Sequence, residues 1–152
     1  STPSVLSLSR QGLPCLRTEH TDENLSSKGG YVLAEAEAKR DVTLIASGSE
    51  VSIAMEARDQ LKVDGVSAAV VSMPCLDKFE EQDQGYRDQI IQLDTPVVVV
   101  EAAIEQNWGK YLGRSGKFIG MNTFGASGPA NELYEYFGIT TKNVVNVAKK
   151  IV

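Results

Sequence analysis

The sequence predicts an α/β fold: an open, mostly parallel, doubly wound sheet of about five strands with helices on both faces. Three observations carry that expectation. Val97-Val98-Val99-Val100 is apolar at every position, so both faces of this strand need cover, as in the middle of a parallel sheet. Val42-Thr43-Leu44-Ile45-Ala46 runs directly into Ser47-Gly48-Ser49-Glu50 and then a helical pattern, which is strand, tight turn, helix. Strand-like and helical runs alternate through the remainder of the chain, the order that right-handed crossovers produce.

Taken in order, Val5-Leu6-Ser7-Leu8 reads as a short strand with nothing before it to pair with and no helix after it. That is the pattern of a last strand belonging to a preceding domain. Residues 12–29 have few large apolar side chains and are rich in Pro, Gly, Ser and charge, so they read as a linker. The main domain, residues 30–152, opens with Tyr31-Val32-Leu33-Ala34 as an edge strand and turns at Lys39-Arg40-Asp41.

After the strand Val42–Ala46, a helix from about Ser49 to Val63 sets Val51, Ala54, Met55, Arg58 and Leu61 near a 3.6-residue spacing, and Asp64-Gly65 stops it. Val66 to Met73 is the next strand, ended by Pro74, and Asp77 is placed to cap a short helical stretch through Phe79. Asp83 to Leu93 reads as a helix with Tyr86, Ile90 and Leu93 on one side. Beyond Val97–Val100, Asn107 to Leu112 is expected to be helical, Phe118 to Met121 a strand, and Ala130 to Phe137 and Thr141 to Ile151 helices.

The 152 residues suit one domain with a short extra segment, and 42% hydrophobic with 23% charged content is that of a soluble globular protein. Fifteen basic against 20 acidic side chains give a net charge of -5, and the basic ones are scattered. Nucleic acid is therefore not an expected partner. No apolar run reaches membrane-spanning length, so no membrane association and a cytoplasmic location are expected. Cys15 and Cys75 lie far apart without the neighbours a zinc site needs, and both are read as reduced thiols.

Few residues offer chemistry. His20 stands in a polar loop with no G-x-S-x-G elbow to partner it. Ser47 and Glu50 have the S-x-x-E spacing of a capping box, which would satisfy the helix N–H groups that could otherwise cradle an anion. The loop 122–129 carries small residues for close backbone approach but matches neither G-x-G-x-x-G nor Walker A. Glu101 ends the Val97–Val100 strand and is read as a hydrogen-bond acceptor in preference to a catalyst. Arg10, at the end of the first strand, can aim a planar charged fork at a phosphate or carboxylate, or can simply be solvated.

The blocks Leu6-Ser7-Leu8-Ser9-Arg10-Gln11, Gly29-Gly30-Tyr31-Val32-Leu33, Leu44-Ile45-Ala46-Ser47-Gly48-Ser49-Glu50-Val51 and Val70-Val71-Ser72-Met73-Pro74 occur in that order. Val100-Glu101-Ala102, Gly120 to Ala130 and Phe137-Gly138-Ile139-Thr140 continue the series. Together they make the sequence resemble the C-terminal domain of the transketolase family, with residues 1–11 resembling the tail of the pyrimidine-binding domain that precedes it. The resemblance implies a thiamine-diphosphate enzyme that moves a two-carbon ketol unit between sugar phosphates in the pentose phosphate pathway, as a homodimer with active sites between subunits.

It also implies that Arg10 grips the substrate phosphate, with no catalytic role for Ser9 or Gln11. The family's Gly-Asp-Gly metal and diphosphate motif, its catalytic histidines and its activating glutamate have no counterpart here. The chain is therefore expected to lack catalytic, cofactor-binding and metal-binding residues of its own, and to bind neither thiamine diphosphate nor a divalent cation (Mg or Ca). Its expected role is structural and dimer-supporting, with Trp108, Tyr111, Phe118 and Phe124 as core or interface anchors. A small-anion or nucleotide-binding regulatory module, using the turn at Ser47 to Ser49 and the loop Gly125 to Gly128, is the other reading.

Overall fold

A computed structural model describes residues 3–152. Ser1 and Thr2, the first two residues of the segment assigned above to a preceding domain, lie outside the described residues. The strands are β1 (Tyr31–Ala34), β2 (Val42–Ala46), β3 (Ala68–Ser72), β4 (Val97–Val100) and β5 (Lys117–Ile119). The helices are α1 (Glu50–Val63), α2 (Leu76–Glu80), α3 (Gln84–Ile91), α4 (Ala130–Phe137) and α5 (Thr141–Lys149). The strands form one sheet in the order β1-β3-β2-β4-β5. β1 runs antiparallel to β3 and the other neighbours are parallel, so the expected fold class holds.

The period-two alternation of the central strands sends side chains to two cores. Val42, Leu44, Val70, Val98 and Val100 face α1 and α5, where Ala54, Leu61, Val144 and Ala148 are buried. Ile45, Val71, Val97 and Val99 face the other side, where Phe79 of α2, Ile90 and Ile91 of α3, and Trp108 and Tyr111 close the layer. α1 carries the chain from β2 to β3 over one face, and α2 and α3 carry it from β3 past β2 to β4 over the other, so the strand order reverses at β2. A crevice therefore opens at the carboxyl ends of β2 and β4.

Arg40 locks the amino-terminal end of β2 to the end of α3. Its side chain is 3% exposed and grips Glu35 through two parallel bonds, Nε to Oε1 and Nη2 to Oε2, each 2.7 Å. Its Nη1 donates to the Ile90 carbonyl at 2.8 Å, and Thr43 Oγ1 donates to that of Ile91 at 3.1 Å. Two carbonyls that α3 cannot satisfy internally are thus paired. The Arg40 guanidinium holds the Glu35 carboxyl below its ordinary value.

Three local expectations, at Val5–Leu8, Asn107–Leu112 and Asp77, are corrected. Val5–Leu8 forms no strand: residues 3–24 have no regular structure, and Val5, Leu6 and Leu8 are 80–95% exposed, because a lone strand has no neighbour to satisfy its backbone groups. Within the expected linker, Leu25–Lys28 closes into a single 3-10 turn ended by Gly29. The helix expected over Asn107–Leu112 is only a 3-10 turn at Gly109–Tyr111, held by bonds from Tyr111 N to Trp108 O (2.9 Å) and Leu112 N to Gly109 O (3.3 Å). Gly109 and Gly113 leave too short and too flexible a stretch for an α-helix. Asp77 does not cap α2: Cys75 holds that position, and Asp77 lies in the first turn, where its charge still complements the helix dipole.

Candidate functional site

The crevice at the carboxyl end of the sheet is built from the turn after β2, the residue after β4, and α4. The expected capping box is not formed. Ser49 precedes α1 without a side-chain cap, and the Ser47 hydroxyl donates instead to Glu101 Oε2 at 2.6 Å. Glu50 is drawn inward to 3% exposure, where Oε1 accepts from Ser49 Oγ at 2.8 Å and from the Tyr134 hydroxyl at 2.6 Å. A buried carboxylate gains more from two side-chain hydroxyls than from a solvent-facing backbone N–H, and that competition decides the geometry.

Glu101 thus serves as the acceptor expected of it. Burial pushes its carboxyl above the ordinary value of 4.5, the bond from Ser47 opposes that shift, and the nearby Glu50 charge adds to it. Since the folded-state value is raised, the stability this group contributes is present at low pH and is lost as pH rises from 4.5 through the raised value. Glu101→Gln should therefore gain melting temperature over the parent chain as pH rises from acid to neutral. Thermal melts across that range check it, and a difference that stays flat would rule out a desolvated carboxyl.

A cleft of about 350 Å³ beside Glu101 is walled by Met73, Pro74, Asp77 and Trp108. A second, more apolar one of about 340 Å³ lies on the other side, between the turn after β2, α4 and Gly125-Ala126. Carboxylates stand in both. Neither offers the cluster of N–H donors and cations that a phosphate needs.

The remaining expected residues are dispersed. Cys15 and Cys75 are free and exposed. His20 pairs with Asp22 at 3.1 Å on the surface, 89% exposed. Of the four aromatic anchors, Trp108 and Tyr111 are buried, Phe118 packs against the same core, and Phe124 is 98% exposed in the loop 122–129. Phe124 alone of the four is free to meet a partner. Arg10 is exposed and, among the described residues, enters no ion pair.

Sequence reading missed one connection. The Gln11 amide donates to the Tyr134 hydroxyl at 3.3 Å across 123 residues of chain, and Leu16 packs against the core. These contacts bring the segment bearing Arg10 against the crevice. The available signal was Glu50 itself, a carboxylate on the stripe that α1 turns to the sheet.

Residues 29–140 match the family described as the transketolase-like TK C-terminal domain. The chain is 50% identical over 152 residues to a transketolase of Sinorhizobium medicae and 49% identical over 156 residues to one of Rhodobacter capsulatus, covering 99% of this chain in each case. It spans only 22% and 23% of the length of those relatives. Among solved structures, a Leishmania mexicana transketolase superposes with a TM-score of 0.75 at 38% identity, over 82% of this chain and 18% of that one. A Pichia stipitis transketolase in complex with sedoheptulose 7-phosphate gives 0.74 at 35% identity, over 83% and 18%. With the family matched over most of its length and the sheet superposing on its members, the chain belongs to the transketolase C-terminal domain family.

Proposed function

We propose that the chain works as the C-terminal part of a full-length transketolase, which transfers a two-carbon ketol unit between sugar phosphates in the pentose phosphate pathway. The observation that carries this reading is identity near 50% to transketolases along 99% of the chain. Its free, exposed thiols suit a cytoplasmic location.

Thiamine diphosphate and a divalent cation, which the family resemblance implies, supply the carbanion chemistry when bound. The residues present here do not fit them. Among the described residues no three His, Cys, Asp or Glu side chains come together to hold a metal. Glu50, just after the turn that follows β2, and Glu101, just after β4, stand where a diphosphate would need donors. We assign the cofactor and cation to the remainder of the full-length enzyme.

This chain's share of the reaction is positional. Arg10 presents a guanidinium that can take the terminal phosphate of a sugar in a two-point grip and hold the reacting carbon near the cofactor. Residues 1–11 belong in this reading to the preceding pyrimidine-binding domain, 12–29 to a linker and 30–152 to the C-terminal domain. Val5, Leu6 and Leu8 then find their neighbours in that preceding domain, and Phe124 offers a contact within a homodimer. The regulatory anion or nucleotide reading gains no support, because carboxylates line both crevices.

The test compares the full-length protein with the 152-residue chain, each given thiamine diphosphate, magnesium, a pentulose phosphate and an aldose phosphate. Sedoheptulose phosphate should form with the former and not with the latter. Turnover by the chain alone would overturn the positional role, and a full-length protein inert toward every sugar phosphate would overturn the activity.

A further inference from the structure

We infer that Tyr134, fixed by the buried carboxylate of Glu50, positions the Ser9-Arg10-Gln11 segment for the substrate phosphate by accepting a hydrogen bond from Gln11. The inference rests on the proposed role of Arg10 and names what holds that residue in place.

The direction of the bonds makes the relay specific. A tyrosine hydroxyl has one proton to give, and the Glu50 carboxylate takes it at 2.6 Å. That leaves the Tyr134 oxygen as an acceptor, and the Gln11 Nε2 donates to it at 3.3 Å. Glu50 cannot turn away, because it is 3% exposed and its Oε1 also holds Ser49 Oγ at 2.8 Å. Ser49 Oγ in turn lies 2.9 Å from the tyrosine hydroxyl. Tyr134 is braced from behind, its ring lying in the apolar wall with Leu133, Phe137 and Ile139.

Within the chain itself little else fixes the segment bearing Arg10, whose upstream residues Val5, Leu6 and Leu8 are held by the preceding domain in the proposed reading. Residues 3–24 have no regular structure, and Val5, Leu6, Leu8 and Leu13 are all exposed. Gln11 is the immediate neighbour of Arg10, so a hydrogen bond at Gln11 restricts where that guanidinium can reach. Leu16, packed against the core, restrains the chain on the other side. An arginine held in advance loses less freedom when the phosphate arrives, and the benefit appears in substrate binding more than in the chemical step.

The experiment uses the full-length enzyme with the variants Tyr134→Phe, Gln11→Ala, their double mutant and Arg10→Ala. Tyr136→Phe, an exposed ring on the same helix, serves as control. Tyr134→Phe and Gln11→Ala should each raise KM for phosphorylated sugars about three- to tenfold, the size of one hydrogen bond, with kcat held within about twofold. KM for a donor without a phosphate should not move, the double mutant should be no worse than either single one, and Tyr136→Phe should match the parent.

Tyr134→Phe disturbs a buried carboxylate and can lower stability. Gln11→Ala lies on the exposed segment and tests the relay without touching the core. Unchanged KM in Gln11→Ala, or equal changes for phosphorylated and unphosphorylated donors, would overturn the relay. If Arg10→Ala removes the preference for phosphorylated sugars while Gln11→Ala and Tyr134→Phe keep it, the relay alone falls. If Arg10→Ala leaves that preference intact, the role of Arg10 falls with it.

Discussion

Arg10→Ala in the full-length enzyme should raise KM for sugar-phosphate substrates by roughly 10- to 100-fold, the loss expected when charge-assisted hydrogen bonds worth about 1.5–3 kcal/mol are removed. Turnover of a donor that lacks a phosphate should be unchanged, because the group proposed to bind Arg10 is then absent. Arg10→Lys should recover only part of the loss, since an ammonium supplies a point charge and not the planar fork that meets two phosphate oxygens at once. Fold stability should be preserved in either variant, as the side chain is exposed and bears no ion pair among the described residues. Steady-state kinetics with matched phosphorylated and unphosphorylated donors, together with thermal melts, check all of this. Equal losses on both kinds of donor would refute phosphate recognition at this position.

Gly29→Ala should be the most damaging single change to the fold, costing about 3–5 kcal/mol from backbone strain and overpacking together. Gly29 ends the 3-10 turn with φ +80 and carries the chain into β1. A Cβ there would be both in a left-handed backbone and in collision with the Phe79 nitrogen and the Cys75 carbonyl of α2. Neither can move freely: Phe79 is fully buried, and Cys75 N donates to the Gly29 carbonyl at 3.0 Å. Gly65→Ala separates the two causes, because Gly65 has φ +77 but nothing within 4 Å of a new Cβ. It should cost about 1 kcal/mol, the strain alone. For a domain of this size the Gly29 variant should melt about 10 °C lower and the Gly65 variant only a few degrees lower. Equal melting points for the two would show that the approach of α2 to the turn is not tight.

The parts of this fold that were readable from sequence are those in which pattern and burial coincide. Val97–Val100 had to be covered on both faces, and every one of those residues is fully buried. Val42–Ala46 likewise became the central β2. Where the pattern was local and the outcome depended on a distant partner, reading failed. Val5–Leu8 has the composition of a strand but no neighbouring strand to bond. Ser47 and Glu50 have the spacing of a cap, yet Glu101, 54 residues away, and Tyr134, 84 residues away, took their hydrogen bonds. Asn107–Leu112 offered aromatic anchors, which did reach the core, but its glycines allowed only a single turn.

The same division applies to the site. Arg10 enters the proposed site only through family resemblance, because a lone arginine carries no local signature. The contact between Gln11 and Tyr134 links the two ends of the chain, and no window of sequence contains both.

The two borders of the sheet also bear on how the domain meets its neighbours. A bare strand border is a template on which another chain can lay itself, and both borders here are blunted against that. β1 slips register between Val32 and Ala34, so an incoming strand would find an interrupted ladder, and the exposed, charged Glu35 follows immediately. β5 is only three residues long and begins at the exposed Lys117. Lateral growth of the sheet, whether by swapping or by aggregation, is therefore disfavoured at each border.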